Sequence, residues 1–477
     1  MSGRILFHVQ HLLGIGHLRR AAILARAFAA AGHDVVLTSG GMPAPEIDVG
    51  GARFVQLKPV RSTDKLFKVL VDEDGIVIDE TFKARRAALL VETLRAHRPD
   101  ILIVELFPFG RRQMRFELLP LVEAARALPN RPRIVSSVRD ILVQSPKPER
   151  VAEMVDLFER WFDDVMVHGD PAFIPFARTF PEHARLAART HHTGYVIGGL
   201  PGATTFFPSP PDGQGPQAAP REKVPEGRMR GFASAVAATA SEIDAVAGRA
   251  SIRRPVGTFD PAGTRAIGDA PHPALRATFS PPAGGEGNDS APASAPVGTG
   301  EVIVSAGGGA VGGPLLRAAL EARALTRLAN RTWRILCGTN LPAAEVETLA
   351  RMAARAGPNV IVEPARRDFT TLLANATLSI SQGGYNTVIE TLSVADRAVI
   401  APYSGGLETE QGLRADLLAE RGAFQVVAED SLSPATLAAA IERAMDGPSI
   451  RSFPRVDANG LARTMALIDG WLADRAG

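Results

Sequence analysis

Cysteine is all but absent: Cys337 is the only one among 477 residues. A single thiol cannot close an intrachain disulfide or build a cysteine-based metal site, so packing alone must hold the fold. Charge of one sign is also lacking, since 53 basic and 51 acidic residues leave a net charge of +2. There is no Lys/Arg block and no interleaving of aromatic and basic residues of the kind that tracks a phosphate backbone, so nucleic acid is not an expected partner. Nor does any apolar run approach the roughly 18 residues of a membrane span. The opening MSGRILFHVQHLLGIGH carries one Arg and an apolar run shorter than the ~7–15 residues of a signal core. A cytoplasmic location is expected.

What remains is ordinary for a globular protein: 45% hydrophobic and 22% charged residues, in a chain about three times a typical domain of ~150 residues. RILFHV predicts a buried strand, HLRRAAILARAFAAAG an amphipathic helix closed by Gly32, and DVVLTS a second strand. DILIVE, RIVSSVR and DVMVHG follow as further strands, separated by helical patterns. Residues 200–299 are rich in Pro, Ala, Gly and Ser, a composition that buries too little apolar surface to offset its conformational entropy. That stretch is expected to be a largely disordered insertion or linker, with 229–250 as a possible helix within it. Strand-helix alternation resumes with EVIVSAGGG, TWRILCG, NVIVEP, LSISQGG, AVIAPY and AFQVVA. The prediction is two α/β domains, 1–199 and 300–477, each with a parallel sheet covered on both faces, and a ligand cleft at the C-terminal ends of the strands.

Three strand-to-helix junctions carry glycine: Gly14 and Gly16 before His17; Gly307, Gly308 and Gly309 with Gly312 and Gly313; and Gly383 with Gly384. Glycine lets backbone approach a ligand closely, and a following helix offers free N–H groups to an anion, so each junction suits a phosphate or is simply a tight turn. The first junction has Arg19 where a dinucleotide fingerprint needs a small residue, and the second lacks the Gly-Lys-Ser/Thr of a P-loop.

At the third junction, a helix starting near Asn386 or Thr387 would place Glu390 one turn in, facing the strand end and able to accept both hydroxyls of a ribose. The same Thr387-x-x-Glu390 pattern also reads as a capping box. Downstream, Glu410 and Gln411 open the next helix, as acids often do for dipole reasons, and an adjacent carboxylate and amide also suit the vicinal hydroxyls of a hexose. Diphosphate, ribose and hexose together make a nucleotide sugar.

These residues resemble GT-B glycosyltransferases, particularly glycosyltransferase family 28 enzymes similar to the peptidoglycan lipid-intermediate N-acetylglucosaminyltransferase. The likeness covers about 1–199 and 300–470 and is most specific in QGGYNTVIE and ETEQGLRA. It implies a GT-B fold of two Rossmann-like domains facing across a cleft. It further implies a UDP-sugar as donor substrate with no other cofactor and no metal, Asn386 and Thr387 near the diphosphate, Glu390 on the ribose, Glu410 and Gln411 on the hexose, and Arg366 beside the uracil. GIGH resembles the family's first turn and points to His17 as catalytic base. The turn GGGAVGG lacks the family's Ser, and Glu410 stands where the family has Gln, which leaves the donor sugar open.

A helix N-terminus disfavours imidazolium, so His17 is expected to be neutral and able to take a proton. Glu105 and Asp140, each following an apolar strand, are further candidates as base, as orienter of His17, or as helix caps. ELFPFGRRQMRFELLP sets Phe107, Phe109 and Phe116 among Arg111, Arg112 and Arg115. It reads either as a surface for an anionic or lipid-linked acceptor at the inner face of a membrane, or as core aromatics beside solvated arginines. Inverting hexosyl transfer from a UDP-sugar is the leading expectation; a nucleotide-sugar 2-epimerase and a non-catalytic nucleotide-sugar-binding protein are the alternatives.

Overall fold

Runs that are apolar at every position pair side by side in parallel, because only strands covered on both faces can bury such sequences. The computed structural model describes residues 2–12, 14–63, 69–142, 147–198, 296–308, 311–405 and 410–476. The expected helix at 229–250, nearly all of the 200–299 segment, and Gly309 lie outside these residues.

The first domain comprises β1 (Arg4–Val9), β2 (Asp34–Ser39), β3 (Arg53–Gln56), the short pair β4 (Arg61–Ser62) and β5 (Leu70–Val71), then β6 (Ile101–Glu105), β7 (Arg133–Arg139), β8 (Asp164–His168) and β9 (Thr190–His192). Its main sheet has the order β3-β2-β1-β6-β7-β8-β9, with every ladder parallel. The second domain comprises β10 (Val302–Ser305), β11 (Trp333–Cys337), β12 (Val360–Pro364), β13 (Leu378–Ser381), β14 (Ala398–Ile400) and β15 (Gln425–Val426). These form a parallel sheet in the order β12-β11-β10-β13-β14-β15. In each sheet the winding reverses once, between β1 and β6 and between β10 and β13, and such switch points open a crevice at the strands' C-terminal ends. The expected α/β class and parallel sheets are therefore present.

Alternate residues of each strand feed opposite faces. Leu6, Leu102 and Val104 join one core and Ile5, Phe7, Ile101 and Ile103 the other, as the period of two requires. The ELFPFG aromatics belong to the first of these cores. Phe107 and Phe109 are buried against Phe162 and Phe158, while Arg112 and Arg115 pair with Glu153 at 3.7 and 2.5 Å. Of the two readings of this segment, Phe107 and Phe109 follow the core one, because rings buried this deeply are worth more to the core than to solvent. Among the described residues no helix is long and apolar enough to cross a membrane.

The last helix, Gly460–Ala476, departs from the expected division at 300–477. Its Ile468, Trp471 and Leu472 pack into the first domain's core beside Ile5 and Phe7. The Trp471 ring lies 4.8 Å from the Arg133 guanidinium and 5.4 Å, edge to face, from His191. An apolar stripe announces that a helix must cover something, but not which sheet it covers. Replacing Trp471 with Ala should cost the first domain about 3 kcal/mol, read as a lower urea midpoint with an unchanged m-value; a loss below about 0.5 kcal/mol would mean that the helix is not part of that core.

Candidate active site

The three glycine junctions meet. The turn after β1 and the turn after β10 touch, since a Cβ on Gly308 would stand 3.3 Å from Ile15. A Cβ on Gly16 would stand 3.1 Å from Arg139 and 3.4 Å from Asn386, and the Asn386 amide reaches the Gly16 carbonyl at 3.5 Å. Gly307 has φ +69° and faces the Thr387 hydroxyl. Here backbone conformation and close approach, rather than turn geometry alone, demand glycine.

On the first-domain side, His17 lies in the first turn of helix Gly16–Ala30 and is nearly buried. Its Nδ1 donates to Glu105 Oε1 at 2.7 Å. Glu105, at the end of β6, is fixed in turn by Arg20 and by the Ser137 hydroxyl at 2.7 Å. Nδ1 is thereby committed, and Nε2, which has no hydrogen-bond partner among the described residues, is left as the basic nitrogen. Burial, then Arg139, Arg111 and Arg20, hold the imidazole well below its ordinary pKa of 6.5. The ring is neutral, as expected, but mainly through desolvation and neighbouring cations. Glu105 takes the orienting place among its expected roles and caps no helix.

Asp140 and Glu410 are not free to act as expected. Asp140 is fully buried and accepts from Arg414 at 2.9 Å, Tyr195 at 2.9 Å and the Ile141 amide at 2.9 Å. It neither faces a substrate space nor caps a helix. Both oxygens of Glu410 lie 3.0 Å from Arg139 Nη1, and Arg414 adds a bond at 2.9 Å. Although burial opposes ionisation, Arg139 and Arg414 keep the Glu410 carboxyl below its usual range. In this arrangement Glu410 ties the domains together through Arg139. Gln411 bonds the Tyr403 amide at 3.2 Å.

On the second-domain side, the helix Tyr385–Val394 begins one to two residues earlier than expected, with Gly384 as N-cap and no side-chain cap. Thr387 is therefore inside the helix, and the capping-box alternative falls. The first intrahelical bond is Val388 N–H to Gly384 O at 3.0 Å, so the preceding amides have no helical acceptor. A Cβ on Gly384 would meet nothing within 4 Å, leaving the approach to them open. Glu390 follows on this helix, half-buried and without a hydrogen bond among the described residues. Burial, only partly opposed by Arg19 across the cleft, pushes its carboxyl up to about 7. Arg366, by contrast, is turned onto its own loop, paired with Asp368 at 2.7 Å and Glu363 at 3.5 Å. Among the described residues no group of three or more His, Cys, Asp or Glu is gathered as a metal site.

Several residues of this site carry weak sequence signals. Arg20 is three positions from His17 on the same helix face, which the spacing could have offered. Arg139 and Arg414 act across domains and leave no local pattern. Arg111 adopts φ +58°, uncommon for a non-glycine residue. It donates Nε–H to Gln10 O at 2.8 Å, and its terminal nitrogens have no partner among the described residues. Burial and the nearby Arg139 lower it to about 10.

Comparison with known proteins agrees with this fold. Residues 303–464 match the glycosyltransferase family 28 C-terminal domain. The chain is 32% identical over 104 residues (22% of this chain, 28% of the relative) to the UDP-N-acetylglucosamine–N-acetylmuramyl-(pentapeptide) pyrophosphoryl-undecaprenol N-acetylglucosamine transferase of Rhizobium johnstonii. It is 37% identical over 134 residues (27% and 36%) to the enzyme of the same name from Paraburkholderia xenovorans. The chain thus spans about a third of the length of these relatives. Its fold is that of the calicheamicin glycosyltransferase CalG4, with TM-score 0.51, 17% identity and 99% of both chains covered, and of a UDP-glucosyltransferase from Polygonum tinctorium, with TM-score 0.52, 13% identity and 99% of both covered. The chain has the GT-B fold, and its second domain matches the glycosyltransferase family 28 C-terminal domain over residues 303–464.

Proposed function

We propose that this chain is an inverting, metal-independent hexosyltransferase that moves the sugar of a UDP-sugar onto an acceptor hydroxyl. The reading is carried by one juxtaposition: a neutral imidazole oriented by a carboxylate faces, across a cleft, a helix with open N-terminal amides and an unpartnered carboxylate in its second turn. In the proposed reaction His17 Nε2 takes the proton of the acceptor hydroxyl. Its oxygen attacks the anomeric carbon from the face opposite the diphosphate, and the bond from that carbon to the β-phosphate oxygen breaks, its electron pair leaving with UDP. The developing charge falls on the amides of Tyr385, Asn386 and Thr387 and on the turn at Gly308, which supply preorganised donors without a metal. Glu390 accepts the ribose hydroxyls.

The relatives' printed names give UDP-N-acetylglucosamine as donor and a pyrophosphoryl-linked acceptor, which supports a UDP-sugar here. For the acceptor we propose an anionic group next to the attacked hydroxyl, read by the terminal nitrogens of Arg111, which lies within electrostatic reach of His17. An epimerase would need further free carboxylates in the cleft, whereas Glu105, Asp140 and Glu410 are all committed to partners.

His17→Ala should lower kcat by about 10²- to 10⁴-fold while UDP affinity by calorimetry stays within a factor of about two. Equal loss of turnover and of UDP binding would count against a base at this position. Glu390 gives a pH signature. Hydroxyl donors favour its ionised form, so UDP affinity should fall as pH drops through about 7, and Glu390→Gln should flatten that profile and weaken binding about 10- to 100-fold. Because folding raises the Glu390 pKa from 4.5 to about 7, its ionisation opposes folding, and stability is lost as pH rises through that window. Glu390→Gln should therefore raise the melting temperature by a few degrees at pH 8, with on the order of 1 kcal/mol gained, and by less at pH 5. A variant less stable at pH 8 would refute the strained-carboxylate assignment.

A further inference from the structure

Away from the cleft, at the far ends of the same two helices that begin in it, lies a groove of about 540 Å³. Helix Tyr385–Val394 reaches it with Leu392 and Val394, and helix Glu410–Glu420 with Leu418; Asp170 and Phe173 of the first domain close the other side. The volume is that of a small-molecule site, and its lining is both apolar and cationic. Leu392, Leu418 and Phe173 supply the floor, while Arg421, Arg451 and Arg455 stand around it.

These charges are not balanced from within. Asp170 is the one carboxylate in the lining, and its two oxygens already accept the amides of Ala172 at 2.9 Å and Asp457 at 3.0 Å. Arg421 spends one nitrogen on the Phe173 carbonyl at 2.8 Å, and Arg451 one on the Val394 carbonyl at 3.0 Å. The Arg421 guanidinium also lies over the Phe173 ring at 4.5 Å, but the remaining side-chain nitrogens of both, and the whole exposed guanidinium of Arg455, have no hydrogen-bond or carboxylate partner among the described residues. An apolar floor under unpaired guanidiniums selects an amphipathic anion over a neutral lipid or a bare ion.

We infer that this groove binds a small amphipathic anion, an apolar tail with a carboxylate or phosphate head, and that binding is coupled to the donor site. The ligand would rest on both domains at once, and two rigid helices join its floor to the open amides at Tyr385 and to the Glu410 bridge. By linkage, whatever it does to UDP affinity, UDP must do to its affinity. This goes beyond the proposed transfer reaction and does not need it to be correct.

Decanoate, decyl phosphate, decanol and inorganic phosphate, each below micelle-forming concentration, would be titrated into the full chain by calorimetry. One or both decyl anions should bind at one site per chain, the pair of them separating a carboxylate from a phosphate preference. Decanol and inorganic phosphate should bind at least about tenfold more weakly. Arg455→Glu, at an exposed position, should weaken the decyl anion about tenfold, and Ser393→Phe, which fills the groove, should abolish binding. Both variants should keep wild-type UDP affinity when no amphiphile is present. Saturating decyl anion should shift UDP affinity in the wild type and not in Ser393→Phe. Equal binding of decanol, binding of phosphate alone, or indifference to both substitutions would overturn the site; intact binding with an unmoved UDP affinity would overturn the coupling.

Discussion

Arg414 is the side chain on which the arrangement of the cleft depends. It is fully buried, and it joins Asp140 of the first domain, Glu410 of its own helix and the carbonyl of Gly383. A guanidinium taken out of water is tolerable only when its partners are close and complete, and each carboxylate here is equally dependent on it. Because Gly383 directly precedes the N-cap of helix Tyr385–Val394, the ion cluster also sets where that helix starts relative to His17. Tyr385 is held in the same knot, its ring 5.4 to 5.6 Å from Arg20, Arg139 and Arg414 and its hydroxyl on the His168 carbonyl. Charge in this protein serves geometry first.

That arrangement divides the acids of the cleft by environment. Glu105 and Asp140 are wrapped by donors, Glu410 is held ionised by two arginines, and Glu390 alone lacks a hydrogen bond among the described residues and rises to about 7. The same residue type is therefore hydrogen-bonded to a histidine, tied between the domains, or left without a hydrogen-bond partner, according to who stands beside it. His17 stays neutral in a field of arginines, and in the proposed reaction that same set of cations would suit an incoming phosphate.

Legibility from sequence followed the range of the interaction. Parallel strands buried on both faces announce themselves as continuous apolar runs, and RIVSSVR and RILFHV became strands over the same residues. Short edge strands such as Thr190–His192, with no apolar run, did not. The three glycine turns and His17 were visible because each sits at a strand-to-helix junction, and Glu105 because it ends an apolar strand. Asp140 looked like a candidate for the same reason, yet its role is decided by Arg414, 274 positions away, and no local pattern encodes such a pair. The Glu410 pairing was hidden similarly: a first-turn acid looks identical in sequence whether or not it meets Arg139. Arg111 was legible only as one of three arginines in a candidate anionic-acceptor surface; what sets it apart from Arg112 and Arg115 is a left-handed backbone angle that an arginine does not advertise.

The return of Gly460–Ala476 to the first core has a consequence for how the molecule comes into being. On the ribosome, the face of the first sheet that carries Ile5 and Phe7, covered in part by helix Gly16–Ala30, stays incomplete until residues 460–476 have emerged, well after the second sheet's strands and their own covering have been made. Maturation of the amino-terminal half is thereby deferred, and a chimera that exchanged only the carboxy-terminal module would have to be spliced ahead of residue 460 or leave its host uncapped.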